Sequence, residues 1–171
     1  MIITGYQGIG KSTLAKDNDK VIDLESSCFW KYDKRDYEKK GPKTRPDDWY
    51  VYYCQMADFL SRQGYIVFVS CHKEVRDFLS THHTTPFCAI FPAKEIKDQW
   101  IKRLEDRYQS DPSDKNKRAL EHAKNCYESD INQLSDECQL SNEYYTEFLT
   151  INKIDYNLND LINELVKIVE A

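Results

Sequence analysis

Eight residues near the N-terminus constrain this chain more than any other feature. Gly5-Tyr6-Gln7-Gly8-Ile9-Gly10-Lys11-Ser12 matches G-x-x-x-x-G-K-[ST] without a mismatch. The apolar run Ile2-Ile3-Thr4 precedes it as a short strand, and Ser12-Thr13-Leu14-Ala15 can open a helix. In that order the glycines let the backbone turn successive N–H groups into one concavity, a nest for phosphate oxygens. The helix N-terminus adds its dipole. Lys11 can reach the β- and γ-phosphates, and the Ser12 hydroxyl can ligate Mg²⁺. Gly5, Gly8, Gly10, Lys11, Ser12 and Thr13 are therefore the expected nucleotide contacts, with ATP and Mg²⁺ as the expected cofactors.

Downstream, apolar runs alternate with helical periodicity, the mark of a parallel α/β sheet. Strands are predicted at 1–4, 21–24, 65–70, 87–91 and 147–151. Helices are predicted after Gly10 and over 48–62, 72–80, 94–109, 115–134 and 158–169. The helix over 115–134 carries Ala119, Leu120, Ala123, Tyr127, Ile131 and Leu134 on one stripe, and that over 158–169 carries Leu158, Leu161, Ile162, Leu165 and Ile168. In the helix over 48–62, Trp49, Tyr53, Met56 and Leu60 read as the buried stripe. At 171 residues the whole reads as one domain, a five-stranded parallel sheet flanked by helices. Two polar segments interrupt the pattern, 31–47 and 108–117, and each reads as a surface loop or as a flap over a ligand.

A net charge of −5 supplies no global field for a polyanion and weighs against nucleic acid as partner. The six cysteines form no Cys-x-x-Cys pair, and with the four histidines they show no metal-ligand spacing. Scattered thiols without a leader or an 18-residue apolar run suggest a reducing cytoplasm and no membrane contact.

Two classes of nucleotide hydrolase fit poorly. Asn152-Lys153-Ile154-Asp155 matches the N-K-x-D pattern that reads guanine, but no D-x-x-G segment lies between the glycine-rich loop and this point, and only 16 residues follow Asp155. The match reads as coincidental. A motor ATPase calls for an apolar strand ending in acidic residues, whereas Tyr65-Ile-Val-Phe-Val-Ser70 runs into Cys71-His72.

Three further stretches carry a family resemblance. The second strand ends in Asp23-Leu24-Glu25-Ser26-Ser27, the third runs into Ser70-Cys71-His72-Lys73-Glu74-Val75-Arg76-Asp77, and Ile101-Lys102-Arg103-Leu104-Glu105-Asp106-Arg107 follows the fourth. With the glycine-rich loop, this layout resembles the nucleoside monophosphate kinase and gluconate/shikimate kinase group of P-loop kinases. The resemblance implies transfer of the γ-phosphate of ATP to a small acceptor, with a flap at about 25–62 and a lid at about 108–117. It implies that Asp23 meets the acceptor and sits beside Mg²⁺, with Glu25 a weaker candidate, and that Arg76 grips an acceptor phosphate with Ser70 and His72 near the γ-phosphate. It also implies that Arg103, sharing a helix face with Arg107, stacks on adenine while Arg107 approaches the phosphates. The first helix departs from the group, because 16–20 reads as a turn and leaves that helix short.

The flap mixes aromatics and cations, which suits a nucleotide: rings stack on a base while cations hold its phosphate. Phe29, Trp30 and Arg35 lie outside the helical stripe and are the better acceptor candidates. A nucleoside or deoxynucleoside monophosphate is the expected acceptor. A hydroxyl-bearing metabolite or modified nucleoside is the alternative, with Asp23 as its base. A nucleotide-binding regulator or slow NTPase, working as monomer or homodimer like the others, is the third reading.

Overall fold

A strand with residues of both faces apolar needs cover on both sides, and β1 (Ile2–Gly5) is buried at every residue, Thr4 included. The computed structural model, which describes residues 1–29, 31–32, 43–140 and 144–171, places β1 at the centre of a five-stranded sheet. β2 (Val21–Asp23), β5 (Ile66–Val69), β6 (Phe87–Pro92) and β7 (Glu147–Ile151) complete it in the order β2-β5-β1-β6-β7, every pair parallel. Ile3 of β1 stands opposite Phe68 on one side and Cys88 on the other. β3 (Lys31–Tyr32) and β4 (Lys43–Thr44) form a separate antiparallel ribbon.

The helices α1 (Lys11–Asp17), α2 (Trp49–Arg62), α3 (Lys73–His82), α4 (Lys97–Ser110), α5 (Asp114–Gln139) and α6 (Leu158–Glu170) cover this sheet. α1 and α6 touch each other, α1 lying on β2 and α6 on β7. α2 sits on β5 and β1 with α3 beside it, and α5 sits on β6 with α4 beside it. The predicted alternation therefore holds, with the first helix as short as the sequence requires: Asn18 ends it and its side-chain oxygen takes the Lys20 amide at 2.9 Å. Among the described residues no helix is long and apolar enough to cross a membrane.

Two expectations are corrected. Met56 does not belong to the buried stripe of α2; it is exposed on the side of Tyr52 and Phe59, and Ala57 takes its place inward beside Tyr53 and Cys54. Buried polar contacts set that rotation: Asp58 holds the Thr84 amide at 3.2 Å and its hydroxyl at 2.8 Å, and Ser61 bonds Thr85 at 2.9 Å. Residues 108–117, expected as an irregular polar segment, are mostly helical. They finish α4, turn at 111–113 and begin α5. Asn116, 3% exposed, locks the corner by donating to the Asp111 backbone and side-chain oxygens, both at 2.8 Å. The segment is polar because it is the solvent face of two helices.

Candidate functional site

In an all-parallel sheet every strand ends at one edge, where ligands of open α/β folds bind. β1 delivers the glycine-rich turn to the middle of that edge. Gly8 and Gly10 adopt φ of 89° and 100°, the left-handed region that costs other residues energy. Gly8 is also pressed close to α4: a Cβ there would lie 2.9 Å from Leu104 Cδ2.

The loop's carbonyls are held from outside. Trp100 Nε1 donates to Gln7 O at 3.1 Å, Arg103 Nε to Gly8 O at 3.2 Å, and the Tyr156 hydroxyl to Ile9 O at 2.8 Å. Lys11 arches back to donate to Gly5 O at 2.5 Å. Among the described residues the amides of Gly8 and Gly10 have no acceptor. Peptide planes whose oxygens are fixed outward present their N–H groups to the concave side, as a phosphate nest requires. Trp100 stacks on Tyr156 with centroids 6.1 Å apart, and Arg103 lies over the Tyr156 ring at 5.3 Å. Burial pushes the Tyr156 phenol up to about 12 against the opposing charge of Arg103, so it remains a neutral donor.

β2 brings Asp23 alongside α1. The exposed Ser12 hydroxyl donates to Asp23 Oδ2 at 2.5 Å, and Thr13 is exposed beside it. Among the described residues no group of three or more His, Cys, Asp or Glu side chains is arranged to hold a metal. A hydroxyl and a carboxylate nevertheless fit Mg²⁺, which takes few protein oxygens and fills its remaining positions with water and phosphate. Tyr53 aligns this edge: its hydroxyl donates to Leu24 O at 2.7 Å and accepts from the Ser70 amide at 2.9 Å, joining the ends of β2 and β5. Glu25 is exposed and pairs with Lys115 on α5.

On the β5 side, His72 Nδ1 shares a hydrogen with Ser70 Oγ at 3.0 Å, and its ring meets Trp49 edge-on at 5.4 Å. Lost solvation lowers the imidazole's pKa below the ordinary value; the charges of Arg45 and Arg76 add to this and Glu74 opposes it. Arg45 lies 4.1 Å over the Trp49 ring and donates to Ser26 Oγ at 3.0 Å.

Arg76 is not presented to the cleft. It is 4% exposed and binds Glu137 of α5 through two parallel bonds of 2.8 and 2.7 Å. A third bond goes to Cys71 O, and Tyr145 donates to Glu137 at 2.6 Å. Burial opposes the guanidinium charge, but the bonds and charge of Glu137 more than offset it and raise the pKa. The adjacent Asp77 is likewise occupied, by Lys73 at 2.5 Å and Tyr144 at 2.6 Å.

The two arginines of α4 differ. Arg103 is tied to Gly8 O and, at 3.4 Å, to Ile154 O. Arg107 is exposed and makes no side-chain bond among the described residues. A cavity of about 370 Å³ opens beside Arg103, lined by Gln99, Lys102, Asp106 and Ile154. Trp30 and Arg35 lie outside the described residues, and of Phe29 only the backbone is described, in the short 3-10 turn Ser26–Phe29.

The sequence reading missed Trp100 and Tyr156, which hold the loop from 93 and 147 residues away. Neither sits in a motif. One indirect signal existed: the stretch after β7, set aside as a stray N-K-x-D match, is held by Arg103 at Ile154 O and leads directly into Tyr156, which bonds the glycine-rich loop.

No protein-family model matches the chain, and no curated protein does either. Among solved structures, an uncharacterized protein from Eubacterium ventriosum ATCC 27560 superposes with a TM-score of 0.47 at 16% identity, covering 99% of this chain and 96% of that one.

Proposed function

We propose that this chain is a P-loop phosphotransferase that moves the γ-phosphate of ATP to a small acceptor. The observation that carries the proposal is the loop itself, its carbonyls fixed outward by Trp100, Arg103 and Tyr156 while the amides of Gly8 and Gly10 stay open. Lys11 leaves Gly5 O for the β- and γ-phosphate oxygens, a short swing of a flexible side chain. Ser12 and Asp23 form the corner that holds Mg²⁺, whose charge neutralises the phosphates when it is bound. Arg107 carries a guanidinium available to charge that develops on the transferring group. The cavity beside Arg103 and Ile154 takes the base, whose face stacks against the planar cation.

The acceptor read from the sequence is a nucleoside monophosphate. The sequestration of Arg76 by Glu137 favours the other class, a hydroxyl-bearing metabolite or nucleoside, because the cation assigned to an acceptor phosphate is already paired. ATP consumption against nucleoside monophosphates, nucleosides, polyols and hydroxy acids, with ADP and product both followed, tests this. A phosphorylated alcohol supports the hydroxyl reading and a diphosphate product restores the monophosphate reading. ATP turnover independent of any acceptor makes the chain a slow NTPase, and ATP that binds without turnover makes it a regulator.

A further inference from the structure

A second group of titratable side chains stands at the same edge and is unused by the machinery above. Asp130, midway along α5, accepts two bonds on one oxygen: the Tyr6 hydroxyl at 3.1 Å and His122 Nε2 at 2.8 Å. Tyr6 is the second residue of the glycine-rich loop. It is 2% exposed, wedged between Trp100 and Tyr127 at centroid distances of 6.5 and 5.8 Å. Burial, and then the charge of Asp130, raise the pKa of its hydroxyl, which stays a donor. Asp130 is thereby pinned to the phosphate loop through a group that cannot swing away.

His122, by contrast, is half-exposed: its side chain keeps 52% of its accessible surface against 27% for Asp130. It lies on α5 between Lys115, which pairs with Glu25 just after β2, and Asp130, which bonds Tyr6. With Nε2–H given to Asp130, the neutral ring leaves Nδ1 as its basic nitrogen, and among the described residues Nδ1 has no partner. A carboxylate that fixes the tautomer and stabilises the imidazolium is the arrangement by which proteins make a histidine into a base. Asp23 is poorly placed for that role, since Ser12 holds it in the metal corner at 2.5 Å.

We propose that His122 takes the proton of a hydroxyl-bearing acceptor at this edge, with Asp130 as its positioning residue and Tyr6 as the link to the phosphate loop. The proposal rests on the phosphotransferase reading and names its acceptor class, an alcohol such as a nucleoside or polyol hydroxyl. In the step, the acceptor O–H proton passes to His122 Nδ1 as the acceptor oxygen bonds to the γ-phosphorus. The bond from that phosphorus to the β,γ-bridging oxygen breaks, and ADP leaves with the electron pair. The imidazolium is held by the Asp130 carboxylate until solvent removes the proton.

Two measurements on the full chain test this. Imidazole NMR with ¹⁵N-labelled protein, titrated with and without Mg²⁺ and the non-hydrolysable analogue AMP-PNP, follows each histidine. His122 is expected as the Nε2–H tautomer, its titration midpoint rising by at least half a pH unit when the analogue binds, while His82 at the far end of α3 does not move. Analogue binding that leaves His122 unmoved overturns the proposal and leaves the phosphotransferase reading standing. Failure of the analogue to bind overturns both. Transfer to water, the simplest hydroxyl, is then measured as phosphate release. His122→Gln lowers it at least tenfold without changing nucleotide affinity, and His122→Ala regains part of the rate with free imidazole. Equal rates in the wild type and His122→Gln, or loss of nucleotide binding in parallel with rate, reduce His122 to a structural residue.

Discussion

The α4 side of the glycine-rich loop and its β5 side hold their arginines in opposite ways. On the α4 side, Arg103 meets the backbone carbonyls of Gly8 and Ile154, and Arg107 stays in solvent. On the β5 flank, Arg76 is drawn inward and closed off by Glu137, Tyr145 and Cys71 O. The same side chain stays partly accessible on one helix and is closed off on the other. The partner decides which. A buried carboxylate that offers both oxygens to a planar fork, joined by a carbonyl, occupies the guanidinium on all sides, whereas single carbonyls leave other N–H donors free.

That contrast can be broken experimentally, and the largest expected effect lies in the loop that both flanks serve. Lys11→Ala should lower phosphate transfer on the order of 100-fold or more, as loss of a charge-stabilising donor does, with the melting temperature unchanged; an unaltered turnover number would refute the mechanism. Glu137→Gln should come next, destabilising the fold by about 3–5 kcal/mol because Arg76 is left buried and uncompensated. Urea denaturation reads that loss. A variant of full stability that fails in transfer would instead put Arg76 on the acceptor. Arg107→Ala should cut kcat about tenfold or more with little change in KM for ATP, the pattern of a contact made in the transition state; equal losses in both would place Arg107 in ground-state binding.

Smaller effects sharpen the comparison. Tyr156→Phe removes one bond to the loop, about 1 kcal/mol, so nucleotide affinity should weaken roughly fivefold; calorimetry with AMP-PNP measures it, and wild-type affinity would show the loop keeps its shape without that tether. On the β5 flank His72 has a folded pKa below its unfolded value of 6.5. The unfolded chain therefore binds more protons between those two values. Stability contributed by neutral His72 is complete above about 6.5 and declines as pH falls toward the folded value. His72→Asn should flatten that limb of the stability–pH curve, and an unchanged slope would assign it to another group.

Much of this was legible before any coordinates. Each of the five sheet strands overlaps its predicted run, and for the inner three, β1, β5 and β6, the reason is that a run buried on both faces has no other place in a small α/β domain. The failures share a cause. Met56 and Ala57 both satisfy helical spacing in α2, and only the pull of Thr84 on Asp58 and of Thr85 on Ser61 selects between them. Residues 108–117 are polar enough for an irregular loop, but the inward bonds of Asn116 to Asp111 close them into a corner between two helices.

What the sequence determined by itself is local: the order glycine-rich turn, lysine, serine, and the alternation that places the turn at a strand's end. A nest of amides needs only successive backbone dihedrals, and glycines at 8 and 10 permit them. What only the tertiary structure decided is which polar groups remain available. Arg76 meets Glu137 across 61 residues, Tyr6 meets Asp130 across 124, and Ile9 O meets Tyr156 across 147. Side-chain chemistry is written in the sequence, but a donor is open or closed according to what the folded chain brings within 3 Å of it.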